Sequence, residues 1–153
     1  MSAADQAPSQ AYQHATAVAI AEGAVLIRGA SGAGKSQLAL ALMAEARRRG
    51  LFTGLIGDDR VAIQLAGGRL LARGHPALSG CIEERGTGIL PENPEATGLI
   101  RCVVDLCESP ERLPQEEQRQ TLLQGVCLPR LMLWTGCHPQ EGARRVLTFL
   151  KWP

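Results

Sequence analysis

A single α/β domain is the architecture that the sequence predicts, on three observations. Short apolar runs rich in β-branched residues recur along the 153 residues, one segment in the first third carries strong helical spacing, and no repeat or second compositional block divides the chain. A chain of this length can bury a real core as one unit. Residues 1–11, MSAADQAPSQA, are small and polar and are expected to be a flexible terminus, leaving 12–153 as the domain.

Along the domain, TAVAIAEGAVLIRG reads as two strands, Thr16–Ile20 and Ala24–Arg28, with a turn at Glu22-Gly23. From Ser36, SQLALALMAEARRRG is the best helix. Leu38, Leu42 and Ala46 follow i, i+4 spacing, Arg47–Arg49 suit the negative helix end, and Gly50 is a natural stop. Thr53–Ile56 is a strand, and VAIQLAGGRLLAR is a hairpin turning at Gly67-Gly68. Leu99–Leu106 is a further strand. Residues 107–120, rich in Pro, Glu and Gln, predict a loop with a short helix. Gln140–Leu150 predicts a closing helix with Ala143, Val146, Leu147 and Leu150 inward.

Composition excludes several function classes. At 45% hydrophobic and 20% charged, the chain is ordinarily globular rather than disordered. A net charge of +1 gives no electrostatic case for nucleic acid or an acidic membrane, and 3% aromatic residues leave few stacking platforms for single strands. Cys81, Cys102, Cys107, Cys127 and Cys137 form no regular framework. No apolar run approaches the roughly 18 residues of a membrane span, and no basic-then-apolar leader opens the sequence. The expectation is a cytoplasmic protein with reduced thiols. The tightest metal-like grouping, Cys127 with Cys137 and His138, matches no common zinc spacing.

Chemistry concentrates in three motifs. Gly29, Ala30, Ser31, Gly32, Ala33, Gly34, Lys35 and Ser36 complete G-x-x-x-x-G-K-[ST] between an apolar strand and a helix. The glycines let backbone N–H groups face one concavity, where a polyphosphate can replace water, and the helix N-terminus adds partial positive charge. Lys35 supplies a cation for the β- and γ-phosphates, and the Ser36 hydroxyl suits Mg²⁺. The motif predicts a nucleoside triphosphate site without fixing the reaction.

The second motif, LIGDDR, places Asp58 and Asp59 together after a short apolar run. In a strand the two side chains would point to opposite faces. One carboxylate at a strand tip beside the phosphate loop suits the metal, and a second suits proton acceptance from an attacking hydroxyl. By itself the pair also fits a strand-end turn in which Asp59 caps or pairs with Arg60. The third motif is GCIEERGTGIL, Gly80 to Leu90. Glu83 and Arg85 are two apart and share a face if extended, one suited to a metal and the other to a transferring phosphate. The same residues also fit a surface ion pair beside a turn.

His14, GASGAGKS, DDRV and IEERGTGI, in this order, resemble the kinase domain of the HPr kinase/phosphorylase family, which acts on a serine of the phosphocarrier protein HPr. The resemblance spans Gln13 to about Arg130, strongly through Leu90. It implies a P-loop kinase core of the HPr kinase and phosphoenolpyruvate carboxykinase-like kind, using ATP and Mg²⁺. Lys35 would hold phosphates, and Ser36, Glu83 and Asp58 would serve the metal. Asp59 would be general base for serine phosphorylation and general acid in reverse. His14 would lie by the phosphates, Arg85 would act in the signature loop, and Arg112, in PERLP, would be a further catalytic arginine. The implied partner is HPr or an HPr-like paralogue, and the implied assembly is a homo-oligomer, a hexamer in the family. The implied setting is regulation of the phosphotransferase system and of carbon and nitrogen metabolism.

Two departures accompany the likeness. The chain is expected to be a short form without the N-terminal domain of longer members. The loop associated with the phosphorylase reaction is reduced to LPRLML around Arg130, which leaves phosphorolysis open. The residues alone also admit a kinase for a small hydroxylated metabolite and a non-catalytic ATP-sensing module. Lys35, Ser36, Asp58, Asp59, Glu83 and Arg85 together argue against the sensor, which needs no base beside its metal shell.

Overall fold

The computed structural model describes residues 12–75, 81–84, 88–91, 95, 97–108 and 116–151; the expected flexible terminus, 1–11, lies outside them. Strand β1 (Tyr12–Gln13) leads through His14 into β2 (Ala15–Ile20), which turns at Ala21-Glu22 into β3 (Gly23–Arg28). Every residue of β2 is buried because both of its faces are covered, so the run does not alternate and is apolar but for Thr16. Val18, Ile20, Val25 and Ile27 face the helices, while Ala15, Ala17, Ala24 and Leu26 face the other way.

Helix α1 (Lys35–Arg48) buries Leu38, Ala39, Leu42, Met43 and Ala46 on the first face. It stops where expected. Gly50 takes φ 76, and the Leu51 N–H donates to the Ala46 carbonyl at 2.9 Å, a Schellman closure that a left-handed glycine makes possible. Strand β4 (Thr53–Gly57) pairs antiparallel with β2. The hairpin β5 (Val61–Ala66) and β6 (Arg69–Gly74) turns at Gly67 and Gly68, both with positive φ, as the two-residue turn requires.

A small separate hairpin, β7 (Cys81–Glu84) and β8 (Gly88–Pro91), passes beside α1 and β4 through its first strand. Strand β9 (Thr97–Cys107) is the spine. It pairs antiparallel with β6 near its start and parallel with β3 along most of its length. A short 3₁₀ helix, Glu116–Arg119, precedes β10 (Gln120–Leu123) and β11 (Val126–Trp134). Helix α2 (Pro139–Phe149) then closes the fold, with Ala143, Val146 and Leu147 buried as predicted. The main sheet runs β1-β5-β6-β9-β3-β2-β4, with β11 on the second half of β9 and β10 beyond it.

The β10–β11 hairpin was not expected from the sequence, where LPRLML reads as a reduced loop. The run turns at Gln124-Gly125, both with positive φ, and β11 joins β9 in parallel from Arg130 onward. Pro129 explains the difference. Proline argues against a strand because it cannot donate to a ladder, but here it sits just ahead of the first β9-paired residue.

The second face of the sheet is covered by its own curled strands. Val61 of β5 with Leu70 and Ala72 of β6 pack against Ala15, Ala17, Leu26 and Ile56. The curl forces backbones together. A Cβ on Gly74 would overlap the Ile56 carbonyl, and one on Gly98 would lie 2.7 Å from Ile56 Cδ1 and 2.8 Å from Ala24 Cβ. Gly74→Ala should therefore cost about 1–3 kcal/mol of stability, the usual range for overpacking. Urea unfolding would read this as a lower midpoint at unchanged slope, and an unchanged midpoint would contradict the close approach.

Candidate active site

The phosphate-loop sequence joins β3 to α1 as predicted. Gly32 and Gly34 adopt φ 82 and 104, values that a side chain would strain, and so turn the loop around its own concavity. Gly29 allows a close approach of another kind: a Cβ there would sit 3.1 Å from Leu106 Cβ and 3.2 Å from Ala33 Cβ. Lys35 is only 4% exposed. Its ammonium donates to the carbonyls of Gly29 at 3.0 Å and Ala30 at 3.2 Å, and lies 3.5 Å from Asp59 Oδ1. Two carbonyls and a carboxylate thus fix the position of the Lys35 side chain inside the loop.

Asp58 and Asp59 do not share a strand. Strand β4 ends at Gly57, and the pair forms the bend into β5, with Asp59 in the left-handed region at φ 63. The bend, rather than strand alternation, is what separates them. Asp58 Oδ1 accepts from Ser36 Oγ at 2.7 Å and from Thr16 Oγ1 at 2.8 Å. Asp59 turns the other way, with Oδ1 3.1 Å from His14 Nε2, and its side chain is 55% exposed. The Asp59 N–H donates to Thr16 Oγ1 at 3.4 Å. His14 itself marks the point where the chain leaves β5, paired through Gln13, and joins β3, paired through Ala15.

Two environments result within one cluster. Ser36 and Asp58 form a hard oxygen pair against the helix start, the donor chemistry that Mg²⁺ prefers when water and phosphate oxygens complete its shell. Lys35, His14 and the exposed Asp59 carboxylate stand at the mouth of the loop. Glu83 is on β7 opposite Ile89, in the strand that passes beside α1 and β4. Arg85 and Arg112 lie outside the described residues.

A second charged cluster braces the strands that end at the site. Arg28, the residue before Gly29, forms a two-pronged bond to Asp105 of β9, with Nε to Oδ1 and a terminal nitrogen to Oδ2 both at 2.8 Å. Arg130 of β11 donates to the same Oδ2 at 2.5 Å. Burial alone would push the Asp105 carboxyl up, but hydrogen bonds and charge from Arg28, then Arg130, hold it below the usual carboxylate range. The Arg28 guanidinium is correspondingly held more firmly protonated, chiefly by its bonds to Asp105. Three parallel strands are thus pinned together directly beneath the phosphate loop.

A family model, the HPr Serine kinase C-terminal domain, matches residues 5–93, more than half of the chain. The chain belongs to this family. The matched span contains His14, the phosphate loop, Asp58, Asp59, Glu83 and Arg85, and it ends before Arg112. A curated HPr kinase/phosphorylase from Mycoplasma mycoides subsp. mycoides is 42% identical over 79 residues, covering 52% of this chain and 23% of that protein. The chain thus corresponds to under a quarter of that relative's length. The solved structure of the Hpr(Ser) kinase/phosphatase from Coxiella burnetii superposes with a TM-score of 0.71 at 22% identity, covering 93% of this chain and 95% of that one. The α/β kinase core expected for the family is therefore the fold observed.

Within this family member, sequence reasoning located His14, Lys35, Ser36, Asp58 and Asp59, and the fold brings all five together. Three contributors were missed. Thr16 orients Asp58 and the Asp59 backbone, and its signal was faint: a hydroxyl two residues after His14 on a strand leading to the loop. Arg28 and Asp105 were legible only as polar residues closing two apolar runs that turn out to be parallel neighbours.

Asp105→Asn should destabilise the fold by about 2 kcal/mol, the scale of hydrogen bonds to charged partners. The wild type carries this carboxylate's contribution in full above the unfolded value of about 4 and loses it as pH falls through the lower folded value. Thermal unfolding between neutral and acid pH should show a shallower acid-side loss in Asp105→Asn; parallel curves would remove Asp105 from the accounting.

Proposed function

We propose that this chain is an ATP- and Mg²⁺-dependent protein-serine kinase whose acceptor is HPr or an HPr-like phosphocarrier. One observation carries the reading: the two adjacent aspartates are divided, Asp58 bonded to Ser36 at 2.7 Å and Asp59 beside His14 at 3.1 Å and Lys35 at 3.5 Å. A nucleotide-holding module needs the first arrangement only. An exposed carboxylate beside the phosphate-holding lysine is what a hydroxyl acceptor requires. The kinase/phosphorylase and kinase/phosphatase activities named for the two relatives point the same way.

In the proposed reaction, Lys35 and the loop N–H groups hold the β- and γ-phosphates while the acceptor serine approaches from the Asp59 side. Asp59 takes the hydroxyl proton as the serine oxygen bonds to the γ-phosphorus, and the bond from that phosphorus to the bridging oxygen breaks to release ADP. Ser36 and Asp58, joined by Glu83, would hold Mg²⁺, which would supply neutralisation of phosphate charge. His14 steadies Asp59 and adds a donor near the transferring group. Arg85 and Arg112 are assigned to transition-state charge on the family resemblance. For dephosphorylation by inorganic phosphate, a phosphate oxygen bonds to the phosphoserine phosphorus, the bond from that phosphorus to the serine oxygen breaks, and a protonated Asp59 gives its proton to that oxygen, leaving free serine and pyrophosphate.

The working form is proposed to be a cytoplasmic homo-oligomer, hexameric by family likeness, acting in control of the phosphotransferase system. Among the described residues, no helix is long and apolar enough to cross a membrane.

Labelled ATP with Mg²⁺ and purified HPr, followed by excess inorganic phosphate, tests both directions. Asp59→Asn should lower serine phosphorylation by roughly 100-fold, the scale of general-base loss, with ATP affinity retained. Lys35→Met should lose both. Wild-type turnover in Asp59→Asn would reject the assignment of the base. Thr16→Val is expected to weaken Mg²⁺ dependence by roughly tenfold through misorientation of Asp58. A metal titration of activity that superposes on wild type would show that Thr16 has no such role.

A further inference from the structure

A cleft of about 290 Å³ opens beside the phosphate loop, on the other side of β3 from Asp58 and Asp59. It lies at the carboxyl ends of the parallel strands β9 and β11, where open α/β sheets place ligands. One wall is the loop itself, through Ala33 and Gly34, continuing into Gln37 on the first turn of α1. The floor is Leu106 and Leu133, and the far wall is the segment Trp134 to His138 that leads into α2.

That far wall is preformed. The Thr135 N–H donates to the Cys107 carbonyl at 2.9 Å, and the Cys137 N–H to the Trp134 carbonyl at 2.8 Å. His138 Nδ1 accepts from the Gln140 N–H at 3.2 Å, capping α2. Trp134 lies folded over Gly136, where a Cβ would come within 2.6 Å of the indole. Despite that contact, Trp134 is 53% exposed. A large, half-open aromatic ring at an apolar cleft is a platform for a flat ligand.

The geometry points to this cleft as the seat of the base and ribose of the nucleoside triphosphate, with the base against Trp134. The inference rests on the proposed nucleotide site and adds its second half. With the β- and γ-phosphates at Lys35, the nucleoside would lie towards Gln37 on the first turn of α1, where the cleft begins. The acceptor end and the nucleoside end then sit on opposite sides of β3, so serine substrate and nucleotide base never compete for space. Thr135 and His138 supply polar atoms at the rim, and the apolar floor excludes water from under the base.

Binding of Mg-ATP and of Mg-tripolyphosphate, which lacks base and ribose, separates the two halves of the site. Trp134→Ala should weaken ATP binding roughly tenfold, as expected for loss of one stacked base, and leave tripolyphosphate binding unchanged. Trp134→Phe should keep most of the ATP affinity. ATP, but not tripolyphosphate, should change the indole fluorescence of wild type, and Trp134→Phe should abolish that change. Unaltered ATP binding in Trp134→Ala overturns the cleft assignment, as does an equal loss of both ligands. A wild type that binds both ligands equally tightly overturns the cleft alone. A wild type that binds neither removes the nucleotide reading and the cleft with it.

Discussion

One carboxylate oxygen, Asp58 Oδ1, accepts from two hydroxyls that belong to different parts of the fold. Ser36 brings the start of α1 to it, and Thr16 brings β2. The phosphate loop is thereby tied to the sheet corner where the chain bends from β4 into β5. With Asp58 held from both sides, the next residue has one direction left, and the left-handed backbone at Asp59 sends its carboxylate towards His14 and Lys35. Two groups that would otherwise repel each other end up facing different partners.

The corner depends on backbone as much as on side chains. Strand β1 pairs with β5 while β2 pairs with β3 and β4, so the chain changes neighbours at His14, close to the β4–β5 bend. Gly57 and Gly74 allow this crossing, because a Cβ on Gly57 would lie 2.7 Å from the Arg60 carbonyl and one on Gly74 would strike Ile56. The site is built where the sheet folds back on itself. Asp105 works from the opposite side, holding Arg28 and Arg130 so that β3 reaches Gly29 in a fixed position.

Most of the fold was legible where a local signal determined it. The helix stop at Gly50, the Gly67-Gly68 turn and the inward face of α2 follow from residue type and spacing, and the fold agrees with them. The strand–loop–helix form of residues 29–36 was legible because its glycines and the apolar runs on either side are local signals. What escaped was set by distant pairing. Strand β11 hides behind Pro129, and nothing within a short window shows that β9 will receive it. Thr16 and Asp105 escaped for the same reason, since their partners lie 42 and 77 residues away. The aspartate pair was recognised, but the mechanism that parts it is a bend with a positive φ at a non-glycine residue, which sequence alternation does not reveal.

The central position of β9 has a consequence for how the chain can change over generations. Its partner β3, which delivers the phosphate loop, lies within the matched span 5–93, whereas β9, β10, β11 and α2 all follow it. In the first portion, individual side chains carry the roles proposed for a proton, a phosphate or a hydroxyl. The later portion meets β3 chiefly through main-chain hydrogen bonds, which are indifferent to side-chain identity, and through apolar surface that tolerates exchange. Asp105 and Arg130 are exceptions, as are Arg112 and Trp134 in the roles proposed for them. One tract of the gene is thus read letter by letter and the other mainly by pattern, and a substitution is felt differently according to the side of that boundary on which it falls.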